Sequence, residues 1–226
     1  ALITETVTKG LNPDVEMKDS GVEWIGEIPE HWEIVKLKNI GVCFGGIIYN
    51  PVDICDEDKG TLVLRSSNVQ NGKLDFSDNV YVKTNISDKY ITKRGDILVC
   101  SRNGSRNLIG KNALIDKDYG YTFGAFMTIV RTKYYKFVHY FLNSNIFDAQ
   151  SSLFLTSTVN QLTLGVFNNM NLVLPSEEEQ QQIVDYLDNK CSEIDKIISE
   201  KEQLVKDLEI YKKSLIYECV TGKRQV

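Results

Sequence analysis

The sequence predicts an α+β fold: a β-rich globular domain followed by one long helix of the coiled-coil-forming kind. Three observations predict it. Short runs rich in Val, Ile, Leu and aromatic residues, bounded by Gly, Asn, Asp and Ser clusters, recur between Ile34 and Leu174. One stretch, 133–150, departs from that rhythm and carries Phe137, Val138, Phe141 and Leu142 at helical spacing. From Ser176 to Val220 neither Pro nor Gly occurs, and apolar residues return every seven positions.

In chain order, Ala1 to Thr8 reads as helical and is broken by Lys9-Gly10-Leu11-Asn12-Pro13. Residues 14–29 read as an acidic surface linker. Trp24, Ile28, Pro29, His31 and Trp32 form an aromatic entry to the globular part, best taken as a packed tryptophan pair. Strands are expected at 34–44, 61–65, 79–82, 96–100, 113–115 and 127–131, separated by turn clusters such as Gly45-Gly46, Asn71-Gly72-Lys73 and Arg94-Gly95-Asp96. Leu172-Val173-Leu174 reads as strand and Pro175 ends it.

Ser176 is a good N-cap for the final helix, and Glu179 three residues on completes a capping box. Glu177 and Glu178 place negative charge where the helix dipole favours it. Leu187, Ile194, Lys201, Leu208 and Leu215 form one heptad row; Ile197, Leu204 and Tyr211 form the second, widened by Ile198 and Val205. At 1.5 Å per residue this helix is roughly 65 Å long, more than a domain of this size uses internally. Its seam is therefore expected to pair with another long helix, which predicts self-association. Ala1-Leu2-Ile3-Thr4-Glu5-Thr6-Val7-Thr8 matches Ser214-Leu215-Ile216-Tyr217-Glu218-Cys219-Val220-Thr221 at Leu, Ile, Glu, Val and Thr. The expected explanation is a tandem architecture in which the tail of one unit precedes a complete second unit.

The 226 residues suffice for one good-sized domain and an appendage. No apolar run approaches a membrane span, and no signal-peptide pattern opens the chain. The five cysteines are never spaced Cys-x-x-Cys and read as reduced cytoplasmic thiols. The net charge of −5 conceals a split: residues 1–33 carry −6, 34–174 carry +5, and 175–226 carry −4. Within the basic middle, Lys89, Lys93, Arg94, Arg102, Arg106 and Lys111 are opposed by Asp96 alone. A local basic surface on an acidic protein is the footprint of a nucleic-acid module, because phosphates are neutralised locally.

No catalytic constellation emerges. There is no Gly-rich phosphate loop, no Gly-x-Ser-x-Gly, no His/Cys metal spacing, and no Pro-Pro of the kind that adenine methyltransferases carry. Asp14, Glu16 and Lys18 superficially suggest a metal nuclease, but the spacing leaves no turn between two ligand-bearing strands. The expectation is a chain that binds and does not catalyse. Three polar loops suit base-edge and phosphate contact: Arg65, Ser67 and Asn68 after one strand; Arg102, Asn103, Ser105 and Arg106 after another; and Thr158, Asn160 and Gln161 before the last. Lys93, Arg94 and Lys111 complete the candidate DNA-binding set.

Four segments carry a family resemblance: Trp24-Ile-Gly-Glu-Ile-Pro-Glu-His-Trp32-Glu, Gly95-Asp-Ile-Leu-Val, Asn160-Gln-Leu-Thr-Leu and Leu174-Pro-Ser-Glu-Glu-Glu-Gln-Gln-Gln-Ile183-Val-Asp-Tyr-Leu-Asp188. The chain resembles the DNA-specificity subunit of type I restriction-modification systems. That resemblance implies a preceding spacer-helix end and linker at 1–33, a target-recognition domain at 34–175, a spacer helix at 176–220 and a tail at 221–226. It implies the second half of such a subunit, reading one half of a bipartite site on double-stranded DNA in the cytoplasm. It also implies adenine-methylating modification subunits that use S-adenosylmethionine, motor-nuclease restriction subunits that use ATP, and pairing with a second half-subunit or a second copy. The chain itself is then expected to need no cofactor. One departure stands out: many members carry Gly-Gly-Thr-Pro where this chain has Gly45-Gly46-Ile47-Ile48. The rivals are a coiled-coil assembly module with a protein-binding head, and the recognition domain of a single-chain restriction-methylation enzyme.

Overall fold

The computed structural model describes residues 2–155 and 160–223. It opens with α1 (Leu2–Lys9) and a hairpin of β1 (Met17–Asp19) and β2 (Glu27–Pro29). Lys18 pairs with Ile28 in that hairpin, and Ile28 is fully buried. The stretch expected as a linker is thus folded, because Ile25 and Ile28 are drawn into the core between acidic neighbours that face solvent.

The run expected as one strand at 34–44 divides into β3 (Glu33–Lys36), a single helical turn α2 (Leu37–Ile40), and β4 (Gly41–Gly45). The turn lets the two strands join different sheets. It also buries Leu37 completely. The chain continues through β5 (Ile54–Cys55), β6 (Thr61–Leu64), β7 (Val69–Gln70), β8 (Lys73–Leu74), β9 (Tyr81–Val82), β10 (Ile97–Cys100), β11 (Asn112–Leu114), β12 (Thr122–Phe123) and β13 (Met127–Thr132). It then forms α3 (Tyr135–Leu142), α4 (Asn145–Ser152), α5 (Leu164–Asn169), β14 (Asn171–Leu174) and α6 (Glu177–Val220). The helix expected at 133–150 is broken at Asn143-Ser144. There the Asn143 amide bonds the carbonyl of His139 at 2.8 Å and the Ser144 hydroxyl bonds that of Phe141 at 2.7 Å, side-chain bonds that compete with the helical ladder.

Two four-stranded sheets build the core. One has the order β11-β10-β13-β4, antiparallel throughout; the other has the order β12-β6-β9-β5, with β12 parallel to β6. Phe44, Leu98 and Ile129 from the first pack with Leu62, Leu64 and Phe123 from the second. Each such side chain, fully buried, contributes about 1.5–3 kcal/mol. A separate antiparallel pair, β14 with β3, joins Leu174 to Glu33. The chain therefore enters and leaves the β-rich domain at neighbouring points.

Two polar devices fix this frame. Asp96, 1% exposed, accepts from Arg131 Nε at 2.6 Å, from Arg131 Nη2 at 2.8 Å and from the Lys93 backbone N–H at 2.8 Å. Gly95 sits just before it at φ +88°, a left-handed conformation suited to glycine, with the Tyr135 ring where a side chain would stand. At the start of α6, the Ser176 hydroxyl accepts from the Glu179 N–H at 3.3 Å, and the Glu179 carboxylate in return accepts from the Ser176 N–H at 3.3 Å. The same carboxylate accepts from the indole of Trp32 at 3.0 Å and contacts His31 Nε2 at 2.8 Å. Burial pushes the Glu179 carboxyl up, but the bonds from Trp32, His31 and Ser176 together outweigh it and hold it below the usual carboxylate range.

The chain divides into two compact units, Ala1–Val184 and Asp185–Val226. In the second, the heptad rows are exposed: Ile194, Ile197, Leu204, Leu208 and Tyr211 are each about half exposed, while Leu215 is partly buried. Leu187, expected in the same seam, is fully buried and is not part of the exposed stripe. Among the described residues no helix is long and apolar enough to cross a membrane.

Candidate nucleic-acid interface

The strand registers of the first sheet decide which loops meet. β10 and β4 end where β11 and β13 begin: Cys100 lies opposite Met127, and Gly45 opposite Thr128. One end of the sheet therefore gathers the loop after β10, the loop after β4, Lys111 and the turn Gly124-Ala125-Phe126. Gly46 belongs to this close approach. A Cβ there would lie 2.2 Å from the Phe123 carbonyl oxygen and 2.4 Å from that of Gly124, so any side chain would force the backbones apart.

The three polar loops read from the sequence are brought together here. The Asn103 amide donates to the Ser66 hydroxyl at 2.9 Å, linking the loop after β10 to the one after β6. The Asn160 amide donates to the Gly104 carbonyl at 3.2 Å, and Arg102 forms an antiparallel bridge with Gln161. The Leu162 N–H bonds the Ser101 carbonyl at 2.8 Å beside that bridge. Thr158 lies outside the described residues.

Within this cluster the residues differ in what they present. Arg102, Ser105 and Arg106 are exposed. Asn103 is half-buried, and its amide oxygen accepts from the Ser105 N–H at 3.0 Å, so it shapes the loop. The Lys111 ammonium donates to the Val69 carbonyl at 2.8 Å. Arg65 is paired with Asp78 at 2.9 Å and also reaches the Asp78 carbonyl. Asn68 requires a correction. It is fully buried, and its amide donates to the Asp75 and Asp78 carbonyls, both at 3.0 Å, while accepting from the Arg65 N–H at 2.9 Å. Its polar groups hold the loop and are not turned to solvent. The Ser67 hydroxyl oxygen is likewise buried.

Lys93 and Arg94, close to Arg102 in sequence, are separated from it by the length of β10. They are exposed at the opposite end of the sheet, where the Arg94 N–H bonds Asp118 at 2.8 Å. The run of positive charge thus divides into two patches.

Sequence reasoning missed Phe126. It is 56% exposed, and the Arg102 guanidinium lies over its ring at 5.0 Å. Its carbonyl accepts from the Ser101 N–H at 3.0 Å, the Arg102 N–H at 3.1 Å and the Ser101 hydroxyl at 3.0 Å. The available signal was an aromatic residue after Gly-Ala at the head of a strand, but the 23 residues between it and Arg102 conceal the contact. Among the described residues no group of three or more His, Cys, Asp or Glu could hold a metal ion.

A β-rich domain that gathers loops from distant parts of the sequence at one sheet end, with Arg102 and Arg106 exposed on one of them, followed by a helix of 44 residues, has the build of a macromolecule-recognition module. The comparisons with known proteins make the class specific. The chain belongs to the type I restriction modification DNA specificity domain family, whose model matches residues 29–207. It is 26% identical over 205 residues to the specificity subunit of type I restriction enzyme EcoKI from Escherichia coli K12, covering 88% of this chain and 44% of that one. It is 28% identical over 234 aligned positions to the MjaVIII specificity subunit of Methanocaldococcus jannaschii, covering 100% of this chain and 53% of that one. The chain spans about half the length of the curated relatives it matches. In fold it is similar to a chain from a structure of complex assembly and conformational transition in the type I R-M system, with TM-score 0.71, 16% identity, and coverage of 96% of this chain and 50% of that one. It is also similar to the HsdS subunit of Thermoanaerobacter tengcongensis, with TM-score 0.58, 16% identity, and coverage of 85% and 42%.

Proposed function

We propose that this chain reads one half of a bipartite site on double-stranded DNA for a type I restriction-modification complex, and that it is itself non-catalytic. The observation that carries the reading is the convergence at one sheet end of loops from three distant parts of the sequence, with Arg102, Ser105 and Arg106 exposed there. Exposed arginines on a rigid frame serve both phosphate neutralisation and base-edge recognition. Asn103, Asn160 and Gln161 tie these loops together, and Lys111, Arg65 and Asn68 bond the neighbouring backbone.

The exposed heptad stripe on α6 supplies the second half of the function. It pairs with the corresponding helix of a second half-subunit or a second copy, and a helix of roughly 65 Å then sets a fixed gap between half-sites. Modification subunits methylate adenine with S-adenosylmethionine, and restriction subunits supply ATP-driven translocation and cleavage, all in the cytoplasm. These partners bring their own cofactors.

Methylome sequencing of cells that express this chain with its modification subunits tests the reading. Methylated adenines in a two-part motif with a constant gap are expected, and a palindromic motif would add that two copies pair. An assembled complex that methylates nothing would refute recognition by two paired copies and point to a half that needs a different second half-subunit. Failure to form any complex would favour the coiled-coil assembly module.

A further inference from the structure

Among the cations at the gathered loop end, Arg102 is held differently. Its backbone is fixed on both sides, by the bond from its N–H to the Phe126 carbonyl and by the bridge to Gln161. Its guanidinium lies against the Phe126 ring at 5.0 Å, and among the described residues it forms no ion pair. Arg65 is neutralised by Asp78, and Lys111 is bonded to a carbonyl. Phe126 is equally unusual. A phenylalanine 56% exposed carries an unfavourable contact with water, yet three hydrogen bonds to its carbonyl hold it in place.

We infer that Arg102 and Phe126 act as one reading unit for a guanine and the thymine stacked beside it. This rests on the DNA-reading function proposed above and names part of its target. The physical reasoning has two halves. A ring against one face of a guanidinium restricts the side chain and leaves its N–H edge directed outward, the geometry that pairs with O6 and N7 of guanine in the major groove. The exposed edge of the same ring is apolar, and the one apolar group that a base pair presents in the major groove is the thymine 5-methyl. Because ring and guanidinium are in contact, the two bases they take must be neighbours. Phe126 therefore determines specificity at two positions, directly at thymine and through Arg102 at guanine.

Selection of binding sequences from a randomised duplex pool by the full chain tests this. The wild type is expected to enrich a motif containing a thymine–guanine step. Phe126→Ala should relax both positions, roughly 5- to 150-fold at the guanine if the bidentate pair is lost. Phe126→Leu should keep the thymine preference and weaken the guanine, because it retains apolar surface and loses the ring; being conservative at an exposed position, it also serves as the folding control. Arg102→Lys should relax the guanine alone. Replacing thymine by deoxyuridine in the wild-type motif should reproduce the thymine part of the Phe126→Ala effect. A wild-type motif without the step, or one that Phe126→Ala leaves unchanged, would overturn the inference while leaving DNA reading intact. Enrichment of no motif by the wild type would overturn both.

Discussion

Asp96→Ala should destabilise the β-rich domain by about 2–4 kcal/mol. The carboxylate is 1% exposed and accepts three hydrogen bonds, two from Arg131 at 2.6 and 2.8 Å and one from the Lys93 N–H at 2.8 Å. Hydrogen bonds to a charged group contribute about 1.5–3 kcal/mol each, and breaking a buried pair by removing one partner costs about 3–5 kcal/mol. Arg131 lowers that figure because its side chain is 30% exposed and regains water when the carboxylate leaves. Loss of the Lys93 acceptor adds to it, since this N–H closes the turn that feeds β10. For a chain of this size, 1 kcal/mol corresponds to about 2–4 °C in Tm. The expected drop in a circular-dichroism melt is thus about 4–16 °C. Asp96→Asn should fall about halfway, because one amide oxygen still accepts. In a double-mutant cycle with Arg131→Met the two effects should overlap by at least ~1.5 kcal/mol. A Tm change under 2 °C for Asp96→Ala, or additivity within about 0.5 kcal/mol, would refute this account of the domain's frame.

Arg102→Glu combined with Arg106→Glu should abolish binding to duplex DNA without altering the melt; Arg106→Ala alone should reduce the salt slope by about one, and an unchanged slope would remove Arg106 from the phosphate contacts. Glu179→Gln should cost about 1 kcal/mol at pH 7, because the carboxylate accepts from Trp32 and Ser176. The folded carboxyl titrates below its ordinary value of 4.5, so its contribution is present above that pH and is lost as pH falls through the depressed value. Denaturation curves of wild type and variant should differ most above pH 4.5 and converge as the pH falls below it, and a gap that stays constant on acidification would rule out the ionised group. Leu204→Glu with Leu208→Glu should convert a self-associating chain to monomers in sedimentation velocity, and a wild type already monomeric at micromolar concentration would deny the seam a pairing role.

Different parts of the molecule were legible in the sequence to different degrees, for identifiable reasons. The long helix was read almost to the residue, from Ser176 to Val220 against an observed Glu177–Val220. Its signals are local: a capping box, a heptad period and the absence of Gly and Pro. The break inside 34–44 was not legible, because Leu37-Lys38-Asn39-Ile40 has no strong preference and turns for the sake of packing Leu37. The β1–β2 hairpin was hidden by its acidic composition. Short strands such as β7, β8 and β12 have two residues each and no period to detect.

What the sequence determined alone was the class of fold, the helix with its seam, and the loops in which exposed charge would lie. Those properties follow from the chemistry of near neighbours along the chain. Tertiary structure decided which of those residues act together. The antiparallel register that sets Cys100 opposite Met127 places Phe126 under Arg102, and the length of β10 carries Lys93 and Arg94 to the far end. Burial then withdraws Asn68 from solvent while leaving Arg102 exposed. Strand register and burial arise from contacts between residues tens of positions apart, and no local pattern of side chains encodes them.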